Sequence, residues 1–147
     1  MNISDIILVN MDYKIVLSET YAQVYVIEDK KIIICEISTD YVPIEDFKRI
    51  FLFMTELMKS GSFDKFIFDK RALRAFHQPS MEWYYLEWKK SILEHGVSKH
   101  RKILPNEPWF EKMVAVAKEQ ILSANPSNII HQLDIKYCKT LEEAIEV

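Results

Sequence analysis

A chain of 147 residues, 49% hydrophobic and 28% charged, has the size and composition of one domain with its own core, needing no disulfide or metal staple. A net charge of −3 argues against a nucleic-acid binder, which shows a basic stripe, and two glycines argue against a glycine-rich phosphate loop. Cys35 and Cys138 are too isolated for a disulfide framework or a zinc pattern, and they read as buried free thiols in a reducing cytoplasm.

Residues 1–18 read as an N-terminal extension or edge strands, with DIILV and YKIVL each able to form one. This end lacks the basic leader of a signal peptide. No apolar run in the chain approaches the ~20 residues that span a bilayer. The expectation is a soluble, cytoplasmic protein with no membrane span.

Residues 19–147 read as a single domain. YAQVYVIE and KIIICEI predict two strands joined by a tight hairpin at Asp29-Lys30, and the second is apolar on both faces, as a central strand is. PIEDFKRIFLFMTELMKSG then predicts a helix. Pro43 stands at its first position, Glu45 and Asp46 at its positive end, and Gly61 at its stop. Phe47, Ile50, Phe51, Met54, Leu57 and Met58 form its apolar stripe.

FDKFIFD predicts a short strand ending at Asp69, and the loop KRALRAFHQP leads to a second helix beginning near Pro79 or Ser80. Met81, Tyr84, Tyr85, Trp88 and Ile92 share one side of that helix, and Trp83 falls almost opposite. Glu82, Glu87 and Glu94, with Lys89 and Lys90, read as an ordinary charged helix surface. VSKHRKIL is a strand by position but a polar one, and its run Lys99-His100-Arg101-Lys102 reads as a solvated strand end.

Asn106 and Pro108 open a third helix, whose predicted stripe is Phe110, Met113, Val114, Ala117, Ile121 and Ala124. HQLDIKYC alternates as a half-buried strand, and TLEEAIEV opens on a capping box at Thr140. The order is β-β-α-β-α-β-α-β-α with possible extra N-terminal strands. It predicts an α/β fold with a mixed, largely parallel β-sheet and covering helices.

The phrases TYAQVYVIEDKKIIICEI, FIFDKRALR, EWYYLEWKKSILEHGV and YCKTLEEAIEV, taken in that order, resemble the STAS/SpoIIAA-like domain family, in particular its stand-alone bacterial members. The resemblance implies a non-enzymatic regulatory or protein-interaction domain, docking through the second helix and its preceding loop. Members that switch by phosphorylation carry a serine after the strand that here ends in FIFD. This chain has Lys70-Arg71-Ala72-Leu73 there, and its next hydroxyl is Ser80. STAS-like sheets also resemble the lipid-binding CRAL-TRIO fold, so the alternative is a carrier of a small anionic or apolar ligand.

The candidate site residues are chosen by position. Asp69, Arg71, Arg74, His77 and Ser80 lie past the carboxyl end of a parallel strand, where open α/β sheets bind ligands, and two arginines beside a helix start suit an anion. Solvated or surface-paired arginines are the alternative for the same loop, and a capping role is the alternative for Ser80. Trp83, with Leu86 nearby, reads either as an interface anchor, for a partner protein or a homodimer, or as a residue that its own chain covers. His77, His95, His100 and His131 show no metal-ligand spacing, and neither a nucleophile-base pair nor a cofactor loop is visible. No catalytic residue, metal or cofactor is assigned.

Overall fold

The computed structural model describes residues 10–125 and 132–147. Six strands lie in the sheet in the order of the sequence: β1 (Lys14–Ser18), β2 (Ala22–Ile27), β3 (Ile32–Ile37), β4 (Lys65–Asp69), β5 (Lys99–Ile103) and β6 (Asp134–Cys138). The first three pair antiparallel, and β3 to β6 pair parallel. YKIVL supplies β1 at the edge, with a register shift between Ile15 and Leu17. The other predicted N-terminal strand, DIILV, lies outside the described residues. The β2–β3 hairpin turns through a short 3₁₀ segment, Glu28–Lys30, and Lys31 takes the left-handed conformation (φ 58°) that a glycine usually fills.

Among the described residues four helices cover the sheet: α1 (Ile44–Met58), α2, α3 (Pro108–Ala124) and α4 (Leu141–Glu146). Three consecutive segments make up α2: α-helical Gln78–Trp83, a π turn Tyr84–Trp88, and α-helical Lys89–Glu94. The Lys89 backbone N–H reaches Tyr84 O, the i+5 bond that defines the wide turn.

Alternation along the strands gives the sheet two apolar faces. Val24, Val26, Ile33, Cys35, Phe66 and Phe68 meet α1 and α2, where Phe51, Met54, Tyr84, Tyr85, Trp88 and Ile92 are buried. Tyr25, Ile34, Ile67 and Ile103 meet Leu141, Ala144 and Ile145 of α4 on the other side. Each large apolar side chain so buried contributes roughly 1.5–3 kcal/mol. Trp88 adds a polar tie. Its indole N–H donates to Phe51 O and Thr55 Oγ1, both at 2.9 Å, and so fixes α2 against α1. Both cysteines are buried and unpaired, as expected.

Several sequence expectations change. The basic run Lys99–Lys102 is solvated only at Lys99. β5 pairs with β4 on one side and β6 on the other, and His100, Arg101 and Lys102 are fully buried. Lys89 is also fully buried rather than part of a charged helix surface. On α3, Met113 and Ala124 leave the predicted stripe for solvent, while Phe110, Val114, Ala117 and Ile121 stay buried. Glu107 rather than Asn106 stands at the start of α3. The Thr140 cap forms as expected, with Thr140 Oγ1 accepting from Glu143 N at 3.1 Å.

Candidate functional site

Two places at the carboxyl ends of the parallel strands collect polar groups. The first is the loop after β4. Asp69 is buried and holds Arg71 in a two-pronged ion pair, with Arg71 Nε donating to Oδ1 at 2.9 Å and Nη2 to Oδ2 at 2.6 Å. That pairing holds the Arg71 guanidinium above its ordinary pKa. Arg74 turns back on the loop and donates to Arg71 O and Leu73 O. His77 Nδ1 lies 2.8 Å from Ser80 Oγ and accepts from Ser80 N, so this pair caps α2. Behind them Lys70, His77 and Ser80 line an apolar cavity of about 50 Å³. Trp83 and Leu86 are partly buried against the α1/α2 core. The Trp83 ring meets Phe47 and Phe51 edge-on, at 6.0 and 6.4 Å, and Lys48 Nζ approaches it at 5.8 Å.

The second place escaped the sequence reading. Pairing sets Phe68, Lys102 and Tyr137 in one row across β4, β5 and β6, on the face that α2 covers. The π turn adds Tyr84 and Tyr85, and Lys89 comes directly after it. Lys89 Nζ contacts His100 Nδ1 at 3.1 Å, and His100 Nε2 faces Val97 O. Neutral imidazole fits that order, accepting at Nδ1 and donating at Nε2. Lys89 and Lys102 share the faces of Tyr84 and Tyr85, Lys89 Nζ lying 4.7 and 5.2 Å and Lys102 Nζ 5.1 and 4.4 Å from those ring centres, and Lys102 donates to Tyr85 Oη. The result is a cluster of polar groups that runs from buried His100 toward Tyr137, which is 45% exposed and whose ring centre lies 5.6 Å from Lys102 Nζ.

Among the described residues no carboxylate answers these amines. None of the ion pairs among the described residues involves Lys70, Lys89, Lys102 or Lys118. The partners are aromatic faces. Lys89 Nζ lies 4.7 Å from the Tyr84 ring centre, Lys102 Nζ lies 4.4 Å from that of Tyr85, and Lys118 Nζ lies 5.4 Å from that of Tyr137. Burial, reinforced by the neighbouring lysines, drives Lys89 and Lys102 well below the ordinary lysine pKa and brings Lys70 down to about 7. Burial likewise pushes the Tyr84 and Tyr85 phenols up, so both stay protonated. The Tyr84 hydroxyl is buried with no hydrogen-bond partner.

Tyr137 also belongs to the wall of a cavity of about 900 Å³ at the carboxyl ends of β5 and β6. Leu104, Val114, Leu122 and Cys138 give it an apolar lining. Lys118 and Lys139 supply cationic groups, and Glu111 and Glu119 supply carboxylates. Among the described residues no group of three or more His, Cys, Asp or Glu side chains is placed to hold a metal ion.

The sequence signals for this site were present but pointed elsewhere. Lys89 sat among charged helix residues, and Lys102 sat in a basic run. The pairing of β5 between two other strands turns Lys102 inward, and the π turn that precedes Lys89 sets that residue inward. No family model, curated protein or solved structure matches the chain. No helix among the described residues is long and apolar enough to cross a membrane.

Proposed function

We propose that this chain is a non-enzymatic binding domain of STAS-like architecture that carries a small organic molecule with an apolar body and a carboxylate head. The observation that carries this reading is the cavity of about 900 Å³ beside a lysine cluster that has no ion-pair partner among the described residues. A pocket of that size suits a small organic ligand, and apolar walls with a few polar groups are the usual lining. Lys118 and Tyr137 receive the head, and Lys139 adds positive charge to the cavity wall. Glu111 and Glu119 disfavour the head at their own positions and so orient the ligand. Support for the architecture is the strand order, with four parallel strands β3–β6 linked by helices.

The ligand site therefore falls at Lys118 and Tyr137, not at Arg71 or Arg74, whose hydrogen bonds hold their own loop. Titration calorimetry with phenylpropionate tests this reading. Binding is expected, with Ala115→Trp, which fills the cavity mouth, weakening it at least tenfold. Absence of binding, or binding indifferent to Ala115→Trp, overturns it.

A second reading, docking on a partner protein or a second copy, has a specific observation of its own. Trp109, Met113 and Val116 are each more than two-fifths exposed and share one side of α3. This favours α3 over the second helix as the docking surface, since α2 shows solvent Glu82, Glu87 and Lys90. Solution mass of the protein and of Trp109→Glu tests it. A dimer that the substitution splits supports docking on a second copy.

A further inference from the structure

The sheet ends in β1 and β6, and the two edges differ. β1 breaks its ladder with a register shift between Ile15 and Leu17, an irregularity of the kind that discourages further pairing. β6 keeps an unbroken register with β5, from Lys99 beside Asp134 to Ile103 beside Cys138. No strand among the described residues lies on its other side. Asp134 N–H donates to Ser98 O at 2.8 Å, so Asp134, Lys136 and Cys138 turn their backbone groups to β5. The N–H and C=O of Ile135 and Tyr137 therefore point the opposite way, toward the open edge. No loop or cap among the described residues bonds them. Such a row of unpaired groups is a template for another strand.

Side chains along β6 alternate in the same way. Ile135 and Tyr137 share the α2 face with His100 and Lys102, and Asp134 and Lys136 share the α4 face with Lys99 and Arg101. Asp134 gives Oδ2 to Arg101, yet 47% of its side chain stays open to a second cation. Lys136 is exposed and forms no ion pair among the described residues. A lone lysine on an edge repels most strands. One strand answers it, and that strand is β6 of a second copy. With the two laid antiparallel, an axis at Asp134 or at Lys136 sets like charges directly opposite each other, which is unfavourable. An axis at Tyr137 leaves Lys136 opposite buried Cys138. An axis at Ile135 sets Asp134 opposite the partner's Lys136 and Lys136 opposite the partner's Asp134. Ile135 then exchanges both backbone bonds with the partner's Ile135.

We propose that the outer edge of β6 is a homodimer interface, on which a second copy of this chain lays its own β6 antiparallel about a two-fold axis at Ile135, joining the two six-stranded sheets into one. A two-fold contact must be self-complementary, residue i meeting residue j and j meeting i, and Asp134 with Lys136 satisfies that rule within a single strand. This complementarity is what makes a second copy the occupant. The same pairing sets Tyr137 opposite the partner's Leu133. Tyr137 and Cys138 are walls of the large cavity, so the second copy borders that cavity on its β6 side. The proposal does not rest on the cavity holding a ligand. Its surface is also separate from the exposed side of α3 that carries Trp109.

Sedimentation equilibrium of the full chain tests it, together with charge reversals on β6. The wild type is expected to associate reversibly into pairs of the 17.5 kDa chain. Lys136→Glu turns both cross-strand attractions into repulsions and is expected to raise the dimer Kd about tenfold or more. Asp134→Lys is expected to do the same from the other position. An equimolar mixture of the two variants restores opposite charges at both positions and is expected to recover the wild-type affinity as a mixed dimer. Hydrogen exchange reads the edge directly. The Ile135 and Tyr137 amides are expected to exchange slowly in the wild-type dimer and fast in Lys136→Glu, while the residue 136 amide, bonded to β5, stays slow in both. Asp134→Lys also gives up the Arg101 pair. If that variant fails to fold, Lys136→Glu carries the test alone, because Lys136 is exposed. A wild type that stays monomeric, or a dimer indifferent to Lys136→Glu, overturns the proposal. A dimer that Trp109→Glu splits and Lys136→Glu leaves whole moves the contact to α3 and overturns it too. Failure of phenylpropionate to bind an intact dimer overturns the cavity reading alone.

Discussion

Arg101 and Lys102 are neighbours on β5, both fully buried basic residues, yet they face opposite sides of the sheet and meet opposite treatment. Arg101 turns toward α4. Its guanidinium donates to His100 O, Asp134 O and Val147 O and pairs with Asp134 Oδ2 at 3.1 Å. Lys65 on the same side donates to Ala144 O and Ile145 O, so two cations meet carbonyls at the end of α4, where the helix dipole favours positive charge. Lys102 turns toward α2 and finds a second amine, tyrosines and, among the described residues, no acid. A buried cation with its partners is architecture. A buried cation without them costs several kcal/mol unless it sheds its proton. The difference sets the α2 side of β5 apart from the α4 side.

The comparison can be broken from either end. The largest effect is expected from Arg101→Met, which removes the donors for three carbonyls and unpairs Asp134. Urea denaturation should show a loss of about 3–5 kcal/mol. Lys102→Met should do the reverse. An apolar side chain of similar length relieves the unpaired amine, and stability at neutral pH should hold or rise by up to about 4 kcal/mol. If both substitutions destabilise equally, the two faces are not different in kind.

The pH dependence separates the faces next. Lys70, Lys89 and Lys102 release protons in the folded state at lower pH than in the unfolded chain. The unfolded state therefore holds more protons between about 7, the folded value of Lys70, and 10.5, the ordinary lysine value. Stability should rise with pH across that window, by at most about 1.4 kcal/mol per pH unit for each lysine titrating. Above the ordinary tyrosine range the sign turns. Tyr84 and Tyr85 keep their protons when folded, and the unfolded phenols lose theirs. His100, held well below 6.5, adds a loss of stability in acid. Urea midpoints at pH 7 and pH 9 should thus increase in the wild type, increase less in Lys102→Met, and keep the wild-type slope in Arg101→Met. The smallest effect belongs to the α4 side. Thr140→Ala removes the cap on α4 and should cost about 1 kcal/mol with no change in that slope.

Most of the frame was readable because local patterns carry it. The stripe Phe47, Ile50, Phe51, Met54 and Met58 has helical spacing and is buried as a unit. KFIFD has an apolar centre, Phe66-Ile67-Phe68, and becomes a strand buried along its whole length. The hairpin, the alternating order and the Thr140 cap arise from equally short-range signals. The amine site was not readable for two reasons. Lysine and arginine are rarely buried, so composition sends Lys89 and Lys102 to the surface. Composition is overridden by pairing at long range, Phe68 to Lys102 and Lys102 to Tyr137, which no local window contains. Trp83 shows a third cause. The helical wheel placed it opposite the core because it assumed 3.6 residues per turn throughout α2.

That assumption fails at Tyr84–Trp88. A π turn accommodates one residue more than an α-helix spanning the same rise, so the residues beyond it are set back by about 100°. The setback brings Lys89 inward and Trp83 nearer to the side of Trp88. The helix is thus one residue longer than its facing requires. Deleting solvent-exposed Glu87 would close the wide turn into a regular one and leave Trp88, Lys89 and Ile92 on the sheet side. Deleting Lys90 instead would carry Ile92 out of the core. Tolerance to a one-codon deletion is therefore expected to be sharply local within α2, and the wide turn is where a length change can enter this helix without moving the amines.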